Sequence, residues 1–295
     1  MDVLRTLKPT LVGNIPALLI DNTHASALIL LQGAQVISFC PRQGQELLWQ
    51  NPQACFQLGS SVRAGIPLCW PWFGQYDKNP EQVQASFAHL NHYPAHGIAR
   101  DSLFQVIGWQ ESADETQVQL RLHPRQANIG LTAEMSISVS TRLQLTLTTT
   151  NTSSREIFCS QALHSYFPTS NIRQTIVQGF DNSTYIDALD NWTAKIQRGD
   201  ITFSGETDRV YTGTRNQSNI IDTESGRTIQ LQTNGSHSSV IWNPWIEKSQ
   251  RLSQFDETAY QTMLCVETAN AADDHIYLKP DDAHTLQLTI GEPAP

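Results

Sequence analysis

The sequence predicts an all-β protein, in the form of a large antiparallel β-sandwich, from three observations. Apolar and polar residues alternate with a period of two along many short segments, as in strands that bury one face. Helical periodicity is scarce. Turn dipeptides such as Asn234-Gly235 and Ser225-Gly226 separate the alternating segments. Because each sheet must cover its apolar face, two packed sheets are the simplest architecture.

The strand pattern is clearest where Leu143, Leu145 and Leu147 alternate with polar residues. The same alternation predicts strands at 117–122, 135–139 and 286–290. Weaker strands are predicted at 27–32, 35–39, 103–109, 228–232, 240–242 and 263–267. A short helix is expected only within 80–90, inside a polar insertion (75–94) that is longer than an ordinary loop.

Composition limits the class of protein and of partner. The chain has 295 residues and no Gly/Ser-rich, Pro-rich or charged linker, so we expect a single domain over residues 1–295. A net charge of -9 argues against nucleic acid or an anionic membrane as the main partner, although it allows a small anionic substrate. The motifs GxGxxG, GxxxxGK[ST] and GxSxG are absent, which disfavours nucleotide sites and a serine hydrolase.

The compartment is predicted from the N-terminus and the cysteines. Residues 1–22 contain charged residues and no long apolar run, so we expect neither a signal peptide nor a membrane span. The five cysteines form no CxxC pair, which favours free thiols in a reducing compartment. We therefore expect a cytoplasmic protein.

An aromatic, proline-containing segment, residues 63–74, begins with Arg63. Its rings, Trp70, Trp72 and Phe73, suit either a plain core or the wall of a sugar site, and composition alone does not separate the two. Its arginine suits an anion at the mouth of such a site.

A second arginine, Arg100, follows His96 and Gly97. A glycine beside a histidine allows the backbone to approach a ligand closely. Alone, Arg100 would be read as a surface residue. Together with Arg63 it suits a phosphate or a carboxylate, since guanidinium groups bind these anions through paired, charge-assisted hydrogen bonds.

A histidine lies in the segment 161–167, which is predicted to be an extended strand. In that strand Ala162, His164 and Tyr166 would face one side. A histidine in a β core is often a hydrogen-bonded structural residue. With its near-neutral pKa, however, His164 is also the best available general acid.

A carboxylate, Glu267, ends the apolar run 263–266. Burying it is costly unless it is paired, hydrogen-bonded or functional, so it is either a base at a strand end or half of a buried salt bridge.

Two further candidates are Asp208, which could accept sugar hydroxyl groups, and the tryptophans Trp242 and Trp245, which could stack on a sugar. Both features also suit an ordinary turn and its packing.

Three histidines, His89, His92 and His96, have the spacing of one helix face and could suggest a metal site. Pro94 and Gly97 would break that helix before His96, and no well-placed carboxylate joins the three. We therefore expect no metal site.

Taken together, these motifs resemble the aldose 1-epimerase-like superfamily and, within it, the hexose-6-phosphate mutarotases. The matching stretches occur in the family's order. They are QGA at 32–34, RAGIPLCWPWFG at 63–74, PAHGIAR at 94–100, ALHSYF at 162–167, TDRVY at 207–211, WNP at 242–244 and VETA at 266–269.

The resemblance implies a galactose mutarotase-like supersandwich with a sugar site on one sheet. It makes His164 and Glu267 the catalytic residues and implies that Arg63 and Arg100 bind the substrate's phosphate. His96 and Asp208 complete the implied substrate-binding set. In some relatives a glutamine precedes the His-Gly pair, where this chain has Ala95, so one sugar contact is expected to be missing or replaced.

The resemblance further implies interconversion of the α and β anomers of a hexose 6-phosphate by a monomer without a cofactor. A base would remove the proton of the C1 hydroxyl while an acid protonates the ring oxygen, and the open aldehyde would rotate before closing again. Two other functions stay open: a mutarotase for unphosphorylated aldoses, and a non-catalytic sugar-binding module. Glycoside cleavage ranks last because it needs two carboxylates, and only Glu267 is a convincing one.

Overall fold

The predicted all-β fold is confirmed. The computed structural model describes residues 6–123 and 129–293, and within them antiparallel strands dominate, with only two short α-helices. The helices are α1 (Glu81–Phe87) and α2 (Trp245–Ser249). No helix in the described ranges is long and apolar enough to cross a membrane.

The described residues contain 23 strands. In order they are β1 (Leu7–Val12), β2 (Ile15–Asp21), β3 (Ala25–Leu30), β4 (Gln35–Pro41), β5 (Leu68–Cys69), β6 (Phe104–Glu111), β7 (Thr116–Leu122), β8 (Leu131–Val139), β9 (Leu143–Asn151), β10 (Ile157–Cys159), β11 (Gln161–Leu163), β12 (Tyr166–Pro168), β13 (Thr175–Gln178), β14 (Thr184–Asp187), β15 (Thr193–Ile196), β16 (Ile201–Thr202), β17 (Thr207–Thr212), β18 (Gln217–Asp222), β19 (Arg227–Asn234), β20 (Ser238–Asn243), β21 (Met263–Asn270), β22 (Ile276–Leu278) and β23 (Ala283–Gly291).

Two large sheets make up most of the fold. One has nine strands in the order β16-β13-β18-β19-β23-β9-β8-β7-β6, and the other has eight, in the order β15-β14-β17-β20-β21-β11-β5 with β12 also paired to β21. A four-stranded sheet, β1-β2-β3-β4, and the pair β10-β22 complete the architecture. The sandwich therefore carries two smaller sheets in addition to the two that the alternation predicts.

The two large sheets share one apolar core, which the period-two pattern produces. Leu145 and Leu147 of β9 contribute to this core from the nine-stranded sheet. Ile241 of β20, with Leu264 and Val266 of β21, contributes from the eight-stranded sheet. Because side chains alternate along a strand, the residues between them point to the opposite face.

Apart from 161–167, each predicted strand segment overlaps an observed strand, and the predicted helix is confirmed as α1. The sequence pattern did not predict β1, whose residues are mostly exposed, or β2, whose buried positions do not alternate strictly. Further short elements were also not predicted, because they are too short to display a clear period: β5, β10, β13 to β18, β22 and the five-residue helix α2.

The prediction of one extended strand over 161–167 is wrong. Strand β11 ends at Leu163 and β12 begins at Tyr166, so His164 and Ser165 form a kink between them. The kink is a tight turn, because the Ser165 N–H donates to the Leu163 carbonyl oxygen at 2.9 Å. The His164 N–H donates to the Pro67 carbonyl oxygen at 2.9 Å, which fixes the turn against the segment 63–74.

The aromatic segment divides between core and cavity. Trp70 and Trp72 are fully buried in the main core, and their indole N–H groups donate to Thr149 Oγ1 at 3.0 Å and to the Pro94 carbonyl oxygen at 2.8 Å. Phe73 is half-buried and lines the cavity described below. Two of the three rings are therefore core.

Gly97 serves packing within the chain and not the close approach to a ligand that the sequence suggested. Its φ is 75°, and an added Cβ would lie 2.1 Å from the Trp70 carbonyl oxygen. Any side chain at this position would therefore clash with the buried segment that carries Trp70.

Candidate active site

The floor of the site is the face of the eight-stranded sheet that points away from the shared core. On β21, Leu264 and Val266 belong to that core, so Cys265 and Glu267 point to the other side. Glu267 is the fifth of the eight residues of β21. The expectation of a strand-end carboxylate is therefore wrong: the ladder continues past it, with Thr268 paired to Leu163.

Strand register brings the other floor residues beside Glu267. Val240 of β20 pairs with Glu267, and Trp242 pairs with both Cys265 of β21 and Asp208 of β17. Since paired residues on neighbouring strands share a face, these side chains line one surface. Three strands thus place a carboxylate, an indole and a second carboxylate side by side.

A cavity of about 760 Å³ lies above this floor. All six residues that the sequence analysis selected line it: Arg63, His96, Arg100, His164, Asp208 and Glu267. Ala95 lines it as well, at the position where some relatives have a glutamine. The chain segments that supply these residues are far apart in sequence, and the fold brings them to one place.

His164 and Glu267 form a close pair of titratable groups in the cavity. His164 Nε2 lies 3.4 Å from Glu267 Oε1, and the two side chains are only 14% and 2% exposed. The His164 ring stacks on Tyr166 at 4.9 Å between ring centroids, and the His96 ring meets its plane edge-on at 5.4 Å. The kink at His164 therefore aims the imidazole at the carboxylate and holds it between two rings.

Each member of the pair keeps one buried polar atom without a hydrogen-bond partner among the described residues. These atoms are His164 Nδ1 and Glu267 Oε2. A buried polar atom without a partner is costly, so such atoms mark a place where a ligand can bind or chemistry can occur.

Burial sets the protonation of the pair. Desolvation, reinforced by the nearby charge of Asp208, raises the pKa of Glu267 well above its usual value. Desolvation lowers the pKa of His164 to about 3, and the positive charges of Arg100 and Arg63 act in the same direction. Both shifts favour a neutral imidazole and a carboxylic acid over an imidazolium and a carboxylate.

The two arginines lie together beside His164. Arg63 and Arg100 line the main cavity and also a small recess of about 30 Å³, which Ser61 and His96 share. Within the described residues neither guanidinium lies within 4.0 Å of a carboxylate, and Arg100 Nε is buried without a hydrogen-bond partner. These positive charges suit an anion from outside the chain.

His96 is held in one orientation. Its Nδ1 accepts the Gly74 N–H at 3.3 Å and lies 3.1 Å from Cys69 Sγ. Burial and the neighbouring His164 lower its pKa well below the usual range, so the ring is neutral and carries its proton on Nε2. His96 can therefore donate one hydrogen bond from Nε2.

Asp208 is fixed by a lysine that the sequence analysis missed. Lys248 Nζ lies 3.3 Å from Asp208 Oδ2 and 3.0 Å from Glu206 Oε1, and it sits 5.9 Å from the centre of the Trp242 ring. Burial raises the pKa of Asp208, and the lysine opposes that shift. The ion pair holds the carboxylate on the cavity floor.

Further lining residues were also missed. Besides Lys248, Lys78 lines the cavity from the segment before α1, and Trp192 lines it from the turn between β14 and β15. Turns and short helices show no hydrophobic periodicity, so the local sequence could not identify these residues as part of the site. Trp245 does not line the cavity; its ring packs on Tyr260 at 5.4 Å.

The three spaced histidines do not form one site. His89 and His92 are exposed, whereas His96 lines the cavity. A different trio does come together: ligand atoms of His164, Cys265 and Glu267 all lie within 4.8 Å of one another.

The sequence and fold were compared with known proteins. The model of the aldose 1-epimerase family matches residues 16–291. A protein of Escherichia coli K12 named "putative glucose-6-phosphate 1-epimerase" is 28% identical over 97% of this chain and 95% of its own length. A protein of the same name from Cenchrus ciliaris is 31% identical over 88% of this chain and 79% of its own.

Solved structures agree with this assignment. The crystal structure of a "putative mutarotase" from Salmonella typhimurium has a TM-score of 0.86 at 26% identity. The match covers 98% of this chain and 94% of that protein. A galactose mutarotase related enzyme from Lactobacillus acidophilus, at 15% identity, has a TM-score of 0.71 over 94% of this chain and 97% of its own, and shows the fold. The matches support an epimerase, or mutarotase, as the general class of function, and the chain belongs to the aldose 1-epimerase family.

Proposed function

We propose that this epimerase interconverts the α and β anomers of a hexose 6-phosphate, with glucose 6-phosphate as its preferred substrate. The observation that carries the proposal is the His164–Glu267 pair, 3.4 Å apart, in the same cavity as two arginines without acidic partners among the described residues. Relatives at 28% and 31% identity that are named for this activity support the choice of substrate.

The reaction needs one base and one acid at neighbouring oxygens of the sugar. Glu267 removes the proton of the C1 hydroxyl, and His164 protonates the ring oxygen, so that the bond between C1 and the ring oxygen breaks. The open aldehyde then rotates about the bond between C1 and C2. In the closing step Glu267 gives its proton to the C1 oxygen and His164 takes its proton back from the former ring oxygen, so the two exchange roles.

A bound phosphate favours the protonation state that the reaction requires. Desolvation is the main cause of the lowered pKa of His164, and the charges of Arg100 and Arg63 add to it. A phosphate dianion against these arginines offsets their charge and shifts the pKa of His164 upward. The shift is towards the protonated imidazole and the carboxylate that act as the acid and the base.

The remaining lining residues orient the sugar ring. Asp208 is held by Lys248 and can accept hydroxyl protons, while the neutral His96 can donate from Nε2. Trp242 and Phe73 present apolar surfaces to a sugar face. Ala95 offers no polar group at its position, so the sugar hydroxyl near it must be bound by another residue or by water.

The main alternative within enzymes is a mutarotase for unphosphorylated aldoses. The arginines disfavour it, because two partly buried cations would then have no anion to bind. The two functions separate in a substrate comparison: anomer exchange by NMR with glucose 6-phosphate and with glucose at equal concentration. We expect a much larger kcat/KM for the phosphosugar, and equal values would overturn the proposed substrate.

We propose that the enzyme acts on this small molecule as a monomer.

A further inference from the structure

A thiol lies next to the proposed acid and base, and the mechanism does not use it. Cys265 and Glu267 are two residues apart on β21 and so share one face of the sheet. Tyr166, which stacks on His164, is the register partner of Cys265 on β12. This pairing brings the imidazole over the thiol and the carboxylate, with the ligand atoms of all three within 4.8 Å of one another.

These three groups are a donor set that suits zinc. Zinc in proteins is bound by thiolate, imidazole and carboxylate at about 2.0–2.3 Å, in a tetrahedron whose ligand atoms lie roughly 3.3–3.8 Å apart. The pair His164 Nε2 and Glu267 Oε1, at 3.4 Å, already has this separation. The ligand atoms of all three residues lie within 4.8 Å of one another, so a movement of about 1 Å brings them to this spacing.

A second observation also points to a ligand at this place. Glu267 is only 2% exposed, and its Oε2 has no hydrogen-bond partner among the described residues. A buried carboxylate oxygen of this kind is stabilised by a cation more than by any neutral partner. The cavity leads to it, so an ion can enter and can keep a water as its fourth ligand.

We infer that His164, Cys265 and Glu267 form an inhibitory site for Zn²⁺ on the floor of the cavity. The ion displaces the protons of the Cys265 thiol and of the Glu267 carboxyl group to solvent, and it occupies the lone pairs through which Glu267 and His164 would exchange protons with the sugar. Zinc and proton transfer therefore exclude each other. Binding of the metal is independent of the proposed function, whereas inhibition rests on it.

The binding test uses Co²⁺ as a spectroscopic substitute for Zn²⁺. Titration of the wild-type protein with Co²⁺ should give the visible bands of a tetrahedral site and a near-ultraviolet thiolate-to-cobalt band, and Zn²⁺ should remove both. Losing a residue that only supports a ligand costs about 10–100-fold in metal affinity, so Cys265→Ser should weaken binding by at least that range. Cys265→Ala is the second variant if the serine variant does not fold.

Surface ligands supply the matched control. The triple variant His89→Ala/His92→Ala/Cys55→Ala removes exposed metal-binding groups and should keep the wild-type cobalt spectrum. No thiolate-to-cobalt band in the wild type, or the same band in the folded Cys265 variants, would overturn the site. Loss of the band in the triple variant would place the metal at the surface and overturn it too.

The inhibition test follows anomer exchange of glucose 6-phosphate with Zn²⁺ and then with EDTA. We expect Zn²⁺ to abolish catalysis, EDTA to restore it fully, and the Cys265 variants to resist zinc at concentrations that inhibit the wild type. Equal zinc sensitivity of wild type and variants would contradict the inference. If the wild type shows no exchange activity, the proposed function fails, while the cobalt spectrum still decides whether the metal binds.

Discussion

His164 Nε2 and Glu267 Oε1 face each other at 3.4 Å, one from a kink between two short strands and the other from the middle of a long one. The kink turns the imidazole off the strand path, and the sheet holds the carboxylate where its backbone cannot adjust. The distance between the two groups is therefore set by the pairing of β12 with β21.

Removing either proton-transfer group should reduce the rate and leave binding nearly intact. We expect Glu267→Gln and His164→Gln to lower kcat for anomer exchange by about 10²–10⁴-fold, with little change in KM, because a positioned acid or base contributes a factor of this size. Glu134→Gln on the exposed side of β8 is the control and should match wild type. A loss confined to KM would mean that the pair only binds the sugar.

Glu267 should also make stability depend on pH. Its pKa in the folded protein is raised above the usual 4.5, so its contribution to stability is complete below pH 4.5 and is lost as pH rises through the folded-state value. Glu267→Gln has no such loss, so its free energy of unfolding should rise relative to that of wild type as pH increases. The total rise should be about 1.4 kcal/mol for each unit by which folding raises the pKa of Glu267.

Denaturant unfolding of both proteins from pH 4 upward measures this difference. His164, whose lowered pKa makes the folded state less stable as pH falls below 6.5, is present in both proteins and largely cancels in the comparison. Parallel stability curves for wild type and Glu267→Gln would show that the pKa of Glu267 is not raised.

The arginines should discriminate between phosphorylated and free sugar. We expect Arg63→Ala and Arg100→Ala to weaken binding of glucose 6-phosphate by about 10–100-fold each, since a hydrogen bond between charged groups contributes about 1.5–3 kcal/mol. Binding of glucose should change far less. Arg121→Ala, at an exposed arginine paired with Glu134, is the control. Calorimetry showing equal losses for both sugars would make the arginines structural.

A bound dianion should raise the pKa of His164. Desolvation is the main cause of its lowered pKa and the arginines add to it, so a phosphate that offsets their charge acts in the opposite direction. NMR titration of the imidazole should show this with 1,5-anhydroglucitol 6-phosphate, which cannot open its ring. Plain 1,5-anhydroglucitol should give a much smaller shift, and identical shifts with the two compounds would refute the proposed role of the phosphate.

Local pattern in the sequence predicted the strands and, with the family motifs, the six site residues. Period-two alternation indicates which residues share a face, as with Cys265 and Glu267. It cannot indicate which strands become neighbours, so the pairing of Val240 with Glu267 was not predictable from the residues alone. Their pairing depends on the register in which β20 and β21 align across the connection 244–262, which contains α2.

The departures from prediction arise where no periodic pattern marks the residues. The kink at His164 is closed by the hydrogen bond from Ser165 to Leu163 and anchored by one from His164 to Pro67, a contact between distant segments that no alternation reveals. Lys248 reaches the site from a helix of five residues, too short to show a helical period. The sequence identifies Cys265 only as one of five free cysteines, because its proximity to His164 depends on how the strands pair.

The most direct test of the central claim is the rate of α/β exchange of glucose 6-phosphate, measured by NMR exchange spectroscopy with and without the purified protein. The wild type should raise the rate well above that of buffer, and the double variant His164→Gln/Glu267→Gln should return it to the buffer rate. A wild-type rate equal to the buffer rate would contradict the proposed function, and full activity in the double variant would contradict the proposed catalytic pair.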